Sequence, residues 1–142
     1  MSAKNPQSVL FACTLNAVRS PMAEALARQA LGRKAYVASA GVTKSDVDPF
    51  AVAVMRESGL DISGHLPHTF DETDCTAFDL VVALSPEAEN RARELTRAAA
   101  TQVEYWPVPD LSGHGESRAQ KIEAFREVRE LLRQKIKARF GA

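Results

Sequence analysis

Three short apolar runs and a candidate fourth strand, separated by helix-forming stretches, constrain this chain more than any other feature. Ser8 to Ala12 (SVLFA), Ala35 to Ser39 (AYVAS) and Leu80 to Leu84 (LVVAL) read as strands, and Gln102 to Trp106 (QVEYW) as a candidate fourth. Pro21 to Leu31 (PMAEALARQAL) is rich in helix formers and is closed by Gly32. Pro49 to Ser58 (PFAVAVMRES) reads as a mostly buried helix stopped by Gly59, and a polar helix follows from Pro86 to about Arg97. The last helix starts near Ser117, where Ile122, Phe125, Val128, Leu132, Ile136 and Phe140 recur every three or four positions. Ser20-Pro21, Asp48-Pro49 and Ser85-Pro86 each set a capping side chain before a proline suited to the first helical position. Short apolar strands alternating with helices imply an α/β fold with a mostly parallel sheet. At 142 residues, the whole of 1–142 fits one compact domain with a core of its own. In such sheets ligands bind beyond the carboxyl ends of the strands, and Cys13 sits at such an end.

Lys+Arg and Asp+Glu both total 18, so the formal net charge is zero. A nucleic-acid partner, which normally shows as a basic excess, is not expected, and any anion site must be local. Met1 to Gln7 is polar and lacks the apolar centre of a signal peptide. No apolar run approaches the length that spans a bilayer, so no membrane partner is expected. Two cysteines make no disulfide framework, which suits a reducing compartment and makes the cytoplasm the expected location.

The stretch that carries chemistry is Cys13-Thr14-Leu15-Asn16-Ala17-Val18-Arg19-Ser20-Pro21, a Cys-x5-Arg-Ser between a strand and a helix. A loop of this length can curl so that successive backbone N–H groups face inward and form an anion nest. The following helix adds its unpaired N–H groups and the positive end of its dipole. Arg19 supplies a planar fork of donors that matches two phosphate oxygens. A thiol in such a cage is expected to be held as the thiolate without a neighbouring base. Ser20 can donate to the Cys13 sulfur while accepting from the helix N-terminus. Cys-x5-Arg alone is a weak signal, because a cysteine ending a strand is often only a small hydrophobe. The strand before it, the helix after it and the Arg-Ser pair make it strong.

The run VLFACTLNAVRSPMAEAL resembles the phosphate-binding loop of the low-molecular-weight protein tyrosine phosphatases. The likeness continues through Ser39-Ala40-Gly41, GLDISGH at 59–65, AFDLVVAL at 77–84 and a loop near 110. It implies a three-layer sandwich whose four-stranded parallel sheet is flanked by helices on both faces. It also implies a phosphatase that hydrolyses phosphate monoesters, protein phosphotyrosine first among them, through a cysteinyl-phosphate. The expected partner is a phosphorylated protein or a small aryl phosphate. By this resemblance Cys13 is the nucleophile and Arg19 the phosphate clamp. Thr14, Leu15, Asn16, Ala17, Val18 and Ser20 line the loop that binds substrate, with Asn16 holding its shape. His65 would be a buried support that hydrogen-bonds toward the loop, against the alternative of a histidine with no such role. Asp110, the only carboxylate between Glu104 and Glu116, is the expected general acid, with a plain turn aspartate as its alternative. Because it must be protonated beside a bound anion, turnover is expected to favour mildly acidic solution. No metal or organic cofactor is required. His65-x-x-His68 is too poor a set for a metal, with Pro67 breaking any helical spacing.

The chain departs from the family pattern at Leu15, where glycine is usual. A positive φ there would be strained, unless Asn16 carries the unusual angles. Val18 replaces a second loop cysteine, so oxidised Cys13 would stop at sulfenic acid or pair with Cys75, itself more simply a spectator. Leu111 follows Asp110 where proline is usual, and neither Thr43 to Val47 nor Leu111-Ser112 offers an aromatic wall. Two rival readings remain. One is a thioredoxin-coupled arsenate reductase, which needs two further thiols and meets only SPEAENRA at 85–92 where they belong. The other is a non-catalytic phosphate-binding module, for which a nucleophile and an acid together are superfluous.

Overall fold

The computed structural model describes residues 6–111 and 117–141. In chain order the elements are β1 (Ser8–Cys13), α1 (Arg19–Leu31), β2 (Tyr36–Gly41), α2 (Pro49–Arg56), β3 (Leu80–Ala83), α3 (Pro86–Leu95), β4 (Gln102–Tyr105) and α4 (Arg118–Phe140). The strands form one sheet in the order β2-β1-β3-β4, with every pairing parallel.

Alternation along β1 explains the layers. Val9, Phe11 and Cys13 belong to the larger core with Met22, Leu26, Phe125, Val128, Leu132 and Ile136 of α1 and α4, and with Ala51, Val54 and Met55 of α2. Leu10 and Ala12 face the other way, against Val81, Ala83, Ala88 and Ala92, where small residues let α3 lie close to the sheet. Helices thus cover both faces. In α4 the expected stripe is the packed one: Phe125, Val128, Leu132 and Ile136 are buried, while Ile122 and Phe140 are partly buried against the same core.

Two readings of the sequence need correction. α2 is half-buried, not mostly buried: only Ala51, Val54 and Met55 are enclosed, and it ends at Arg56. Beyond that end, Arg126 and Arg129 of α4 grip Glu57, and their hydrogen bonds and charge bring its pKa down to about 2. The second correction concerns Ser20, which caps no helix. α1 starts at Arg19 with Val18 as an uncapped first residue, whereas Asp48 and Ser85 accept from Phe50 N–H and Ala88 N–H in the manner expected of them. Ser20 is engaged elsewhere.

β1 has β2 on one side and β3 on the other, so the chain order reverses at its carboxyl end, which is Cys13. A parallel sheet leaves a crevice at such a point because successive connections run to opposite faces. Among the described residues no helix is long and apolar enough to cross a membrane.

Candidate active site

The loop from Cys13 to Ser20 is shaped by the segment after β2. Val42, Thr43, Ser45 and Asp48 donate their backbone N–H groups to the carbonyls of Cys13, Thr14, Leu15 and Ala17, at 2.9–3.1 Å. In a trans peptide the N–H points opposite the C=O. Tying these carbonyls outward therefore turns the loop's amides inward, and Asn16 N–H does point at Cys13 Sγ, 3.3 Å away. Gly41 makes the close approach possible: a Cβ there would lie 2.4 Å from Thr43 O and 2.8 Å from Asn16 N, both backbone atoms. Gly41→Ala is expected to cost about 1–3 kcal/mol of stability by overpacking and to lower kcat/KM at least tenfold by pushing the loop open. Urea unfolding and steady-state kinetics on the same variant check both numbers.

Asn16 carries a φ of 53°, and it is the only non-glycine residue with positive φ among those described. Asparagine tolerates the left-handed region better than most residues, so Leu15 is spared it. The Asn16 side chain is fully buried and its orientation is determined by its partners. Oδ1 accepts from the His68 backbone N–H at 2.9 Å, a group that can only donate. Nδ2 then faces Ser20 Oγ at 2.8 Å and Ser39 Oγ at 3.0 Å. Because Ser20 Oγ receives that proton, its own is left for Cys13 Sγ at 2.9 Å, a shorter contact than the 3.4 Å to Ala40 O. This contact occupies the hydroxyl that the sequence suggests as a cap.

His65 Nε2 lies 3.0 Å from the same Asn16 Oδ1 and must donate to it, which leaves Nδ1 toward Glu24, 3.9 Å away. Burial lowers the His65 pKa from its ordinary value, opposed in part by the Glu24 charge and the bond to Asn16, while His68 and Arg28 lower it further. With the folded pKa below that of the unfolded chain, the unfolded state binds the extra proton first. Stability is thus complete above the ordinary histidine range and falls as pH drops through the folded value. Thermal midpoints between pH 7.5 and 5 should show this decline, and it should be shallower in His65→Gln.

Glu24 was not legible as part of the site. It bonds Arg28, one turn further along α1, at 2.6 Å, but it also accepts from Ser39 Oγ at 2.5 Å and is buried. A chain of hydrogen bonds therefore runs from Glu24 through Ser39 and Asn16 to Ser20 and the sulfur. It gives the loop a single shape.

Arg19 is 7% exposed. Its Nη1 donates to Val108 O at 3.1 Å and Leu84 O at 3.4 Å, and Nη2 lies 3.5 Å from Thr14 Oγ1. Among the described residues no carboxylate forms an ion pair with it, although a buried cation ordinarily needs one. Arg19 thus binds the loop, the end of β3 and the segment after β4 together. Trp106, Val108 and Leu111 are buried and pin the segment after β4, with Trp106 edge-on to Phe11 at 5.9 Å between ring centroids. Asp110 is exposed on the same segment, two residues beyond the carbonyl that Arg19 holds. Of the other loop residues, Leu15 is exposed at 39%, Thr14 and Val18 are half-buried and Ala17 is buried. Ser112 lies outside the described residues.

The chain matches the low molecular weight phosphotyrosine protein phosphatase family over residues 8–140. It is 34% identical over 116 residues to arsenate reductase 2 of Staphylococcus haemolyticus, a stretch spanning 82% of this chain and 87% of that protein. Among solved structures it resembles an arsenate reductase in the phosphate binding state, with a TM-score of 0.80, 30% identity and coverage of 95% and 97%. It also resembles the tyrosine phosphatase Wzb from Escherichia coli K30 in complex with sulphate, with a TM-score of 0.79, 26% identity and coverage of 94% and 95%. With its sheet order, its cysteine at the switch point and a family match over nearly all its length, the chain belongs to the low molecular weight phosphotyrosine protein phosphatase family.

Proposed function

We propose that this protein hydrolyses phosphate monoesters through a cysteinyl-phosphate intermediate, acting as a single domain in the cytoplasm. The observation that carries the reading is a buried guanidinium with no ion-pair partner among the described residues, at the mouth of a loop whose amides turn toward a sulfur. In the first step Cys13 Sγ attacks phosphorus, the bond to the ester oxygen breaks and Asp110 gives that oxygen its proton. In the second, ionised Asp110 takes a proton from water, whose oxygen attacks phosphorus. The S–P bond then breaks, releasing phosphate and restoring the thiolate. Arg19 and the loop amides stabilise the equatorial oxygens in both steps. His65 acts through Asn16 to keep the loop in shape. Phosphotyrosine is the leading substrate by family likeness, and turnover is expected to favour mildly acidic solution, because the first step needs Asp110 to carry a proton beside the bound anion.

Arsenate reduction is the second reading, favoured by the relatives that bear that name. It would form an arsenate ester on Cys13 that a second thiol must attack. This chain has only one other cysteine, Cys75, which packs in the core on the opposite face of the sheet. Cys75 also precedes β3, at the end of the sheet away from Cys13. Ser85 to Ala92 contains no thiol, so the reductant would have to come entirely from another molecule. The deciding assay sets aryl phosphate hydrolysis beside arsenate reduction with thioredoxin and its reductase. Phosphatase turnover with no arsenate-dependent oxidation is expected, and the reverse result would replace the first reading by the second.

Arg19→Lys offers a further check. Lysine keeps the charge but cannot hold Val108 O and two phosphate oxygens at once. A fall of about 10²–10³-fold in kcat/KM is expected, most of it in kcat, because the fork matters most when charge spreads over the equatorial oxygens.

A further inference from the structure

Glu87 stands where an anion site would be better without it. Its Oε1 lies 3.2 Å from Thr14 Oγ1, the hydroxyl of the residue next to Cys13, and that hydroxyl lies 3.5 Å from Arg19 Nη2. Thr14 Oγ1 also lies 3.1 Å from Ser85 Oγ, which accepts from Ala88 N–H at the start of α3. Thr14 has one proton to give, and a carboxylate is the stronger acceptor. The other acids of this helix are neutralised: Glu89 pairs with Arg93 and Glu94 with Arg91. Across the sheet edge Lys44 pairs with Glu72, and Asp71 pairs with Arg91. Among the described residues no lysine or arginine forms an ion pair with Glu87, and it is exposed.

A negative charge one hydroxyl away from a phosphate-binding loop repels the dianion the loop is built to hold. An acid at a helix N-terminus does help the helix, but Glu89 lies in the same first turn of α3 and does so without touching the loop. The geometry points to Glu87 as a specificity-determining residue that selects substrates carrying a positive charge close to the phosphate and rejects those carrying a second anion. A cation on the leaving group would sit over Glu87 and offset its repulsion of the phosphate, whereas an acidic leaving group would add to that repulsion. The apolar, non-aromatic rim made by Leu15 leaves charge as the stronger means of discrimination at this mouth. This inference rests on the phosphomonoester reading of the same site.

The test separates the two. Binding of 4-(aminomethyl)benzylphosphonate, 4-carboxybenzylphosphonate and unsubstituted benzylphosphonate is measured by calorimetry for wild type, Glu87→Gln and Glu89→Gln, at low and high salt. Hydrolysis of the unsubstituted aryl phosphate is measured in parallel. Glu87→Gln should lower the cation-to-anion affinity ratio about tenfold at low salt, and the effect should shrink as salt screens it. Glu89→Gln should leave the ratio within about twofold of wild type. An unchanged ratio in Glu87→Gln overturns the inference. So does an equal change for all three phosphonates, which would make Glu87 a helix-stabilising residue only. Failure of all variants to hydrolyse the neutral ester would strike the proposed reaction, while the affinity ratio would still decide the role of Glu87.

Discussion

Cys13→Ser is expected to lower kcat for an aryl phosphate by at least about 10⁴-fold while leaving the affinity for inorganic phosphate within about threefold. The hydrogen-bond partners of the sulfur are Ser20 Oγ and Asn16 N–H, and neither can act as a base. A serine here would keep its proton, since nothing positioned beside it can take that proton away. A serine nucleophile elsewhere depends on an adjacent histidine, and here His65 is turned to Asn16 Oδ1, one residue removed from the sulfur. The proposed anion cage, by contrast, does not depend on sulfur, because Arg19 is held by Val108 O and Leu84 O and the loop carbonyls by segment 42–48. Asp110→Asn gives the complementary result. With a good leaving group the first step hardly needs the acid, but the second needs the base, so the variant should accumulate an enzyme one phosphoryl group heavier by mass spectrometry. Full turnover in Cys13→Ser, or no adduct in Asp110→Asn under burst conditions, would remove the cysteinyl-phosphate from the mechanism.

The layers and the loop were largely legible because they depend on local pattern. Strands buried on both faces read as unbroken apolar runs, as β1 and β3 do, and all four strands lie within a residue or two of the segments that read as strands. What escaped was set by competition between groups distant in sequence. Of the two roles that the sequence suggests for Ser20, the contact with Cys13 Sγ is found and the helix cap is not, because Asn16 Nδ2 donates to the hydroxyl in place of a helix N–H. The partners of Arg19 are 65 and 89 residues away and are backbone carbonyls, which have no residue type to recognise. Glu24 and Glu87 are ordinary helix glutamates until the fold brings Ser39 to one and Thr14 to the other. Leu15 is instructive in the opposite sense: the strained angle that a glycine would take there falls on Asn16, a residue able to adopt it.

Asn16→Ala should be the most damaging change to stability outside the apolar core, about 3–5 kcal/mol by urea unfolding, with activity lost as well. Four bonds vanish together, and the buried Ser39 and Ser20 hydroxyls lose a donor they cannot replace from solvent. Each such buried group costs about 1–3 kcal/mol, and alanine adds about 1 kcal/mol more at a φ of 53°. Asn16→Asp distinguishes shape from chemistry. It keeps the oxygen that receives the His65 and His68 donors, so the loop should stay folded within about 1–2 kcal/mol of wild type. On the other side it replaces a donor by an acceptor, and Ser20 would turn its proton to the new carboxylate and away from Cys13 Sγ. That variant should therefore fold yet turn over at least about tenfold more slowly, and iodoacetamide should alkylate its thiol more slowly at pH 7. If Asn16→Ala unfolded within about 0.5 kcal/mol of wild type, the network from Glu24 to the sulfur would not be what holds this loop.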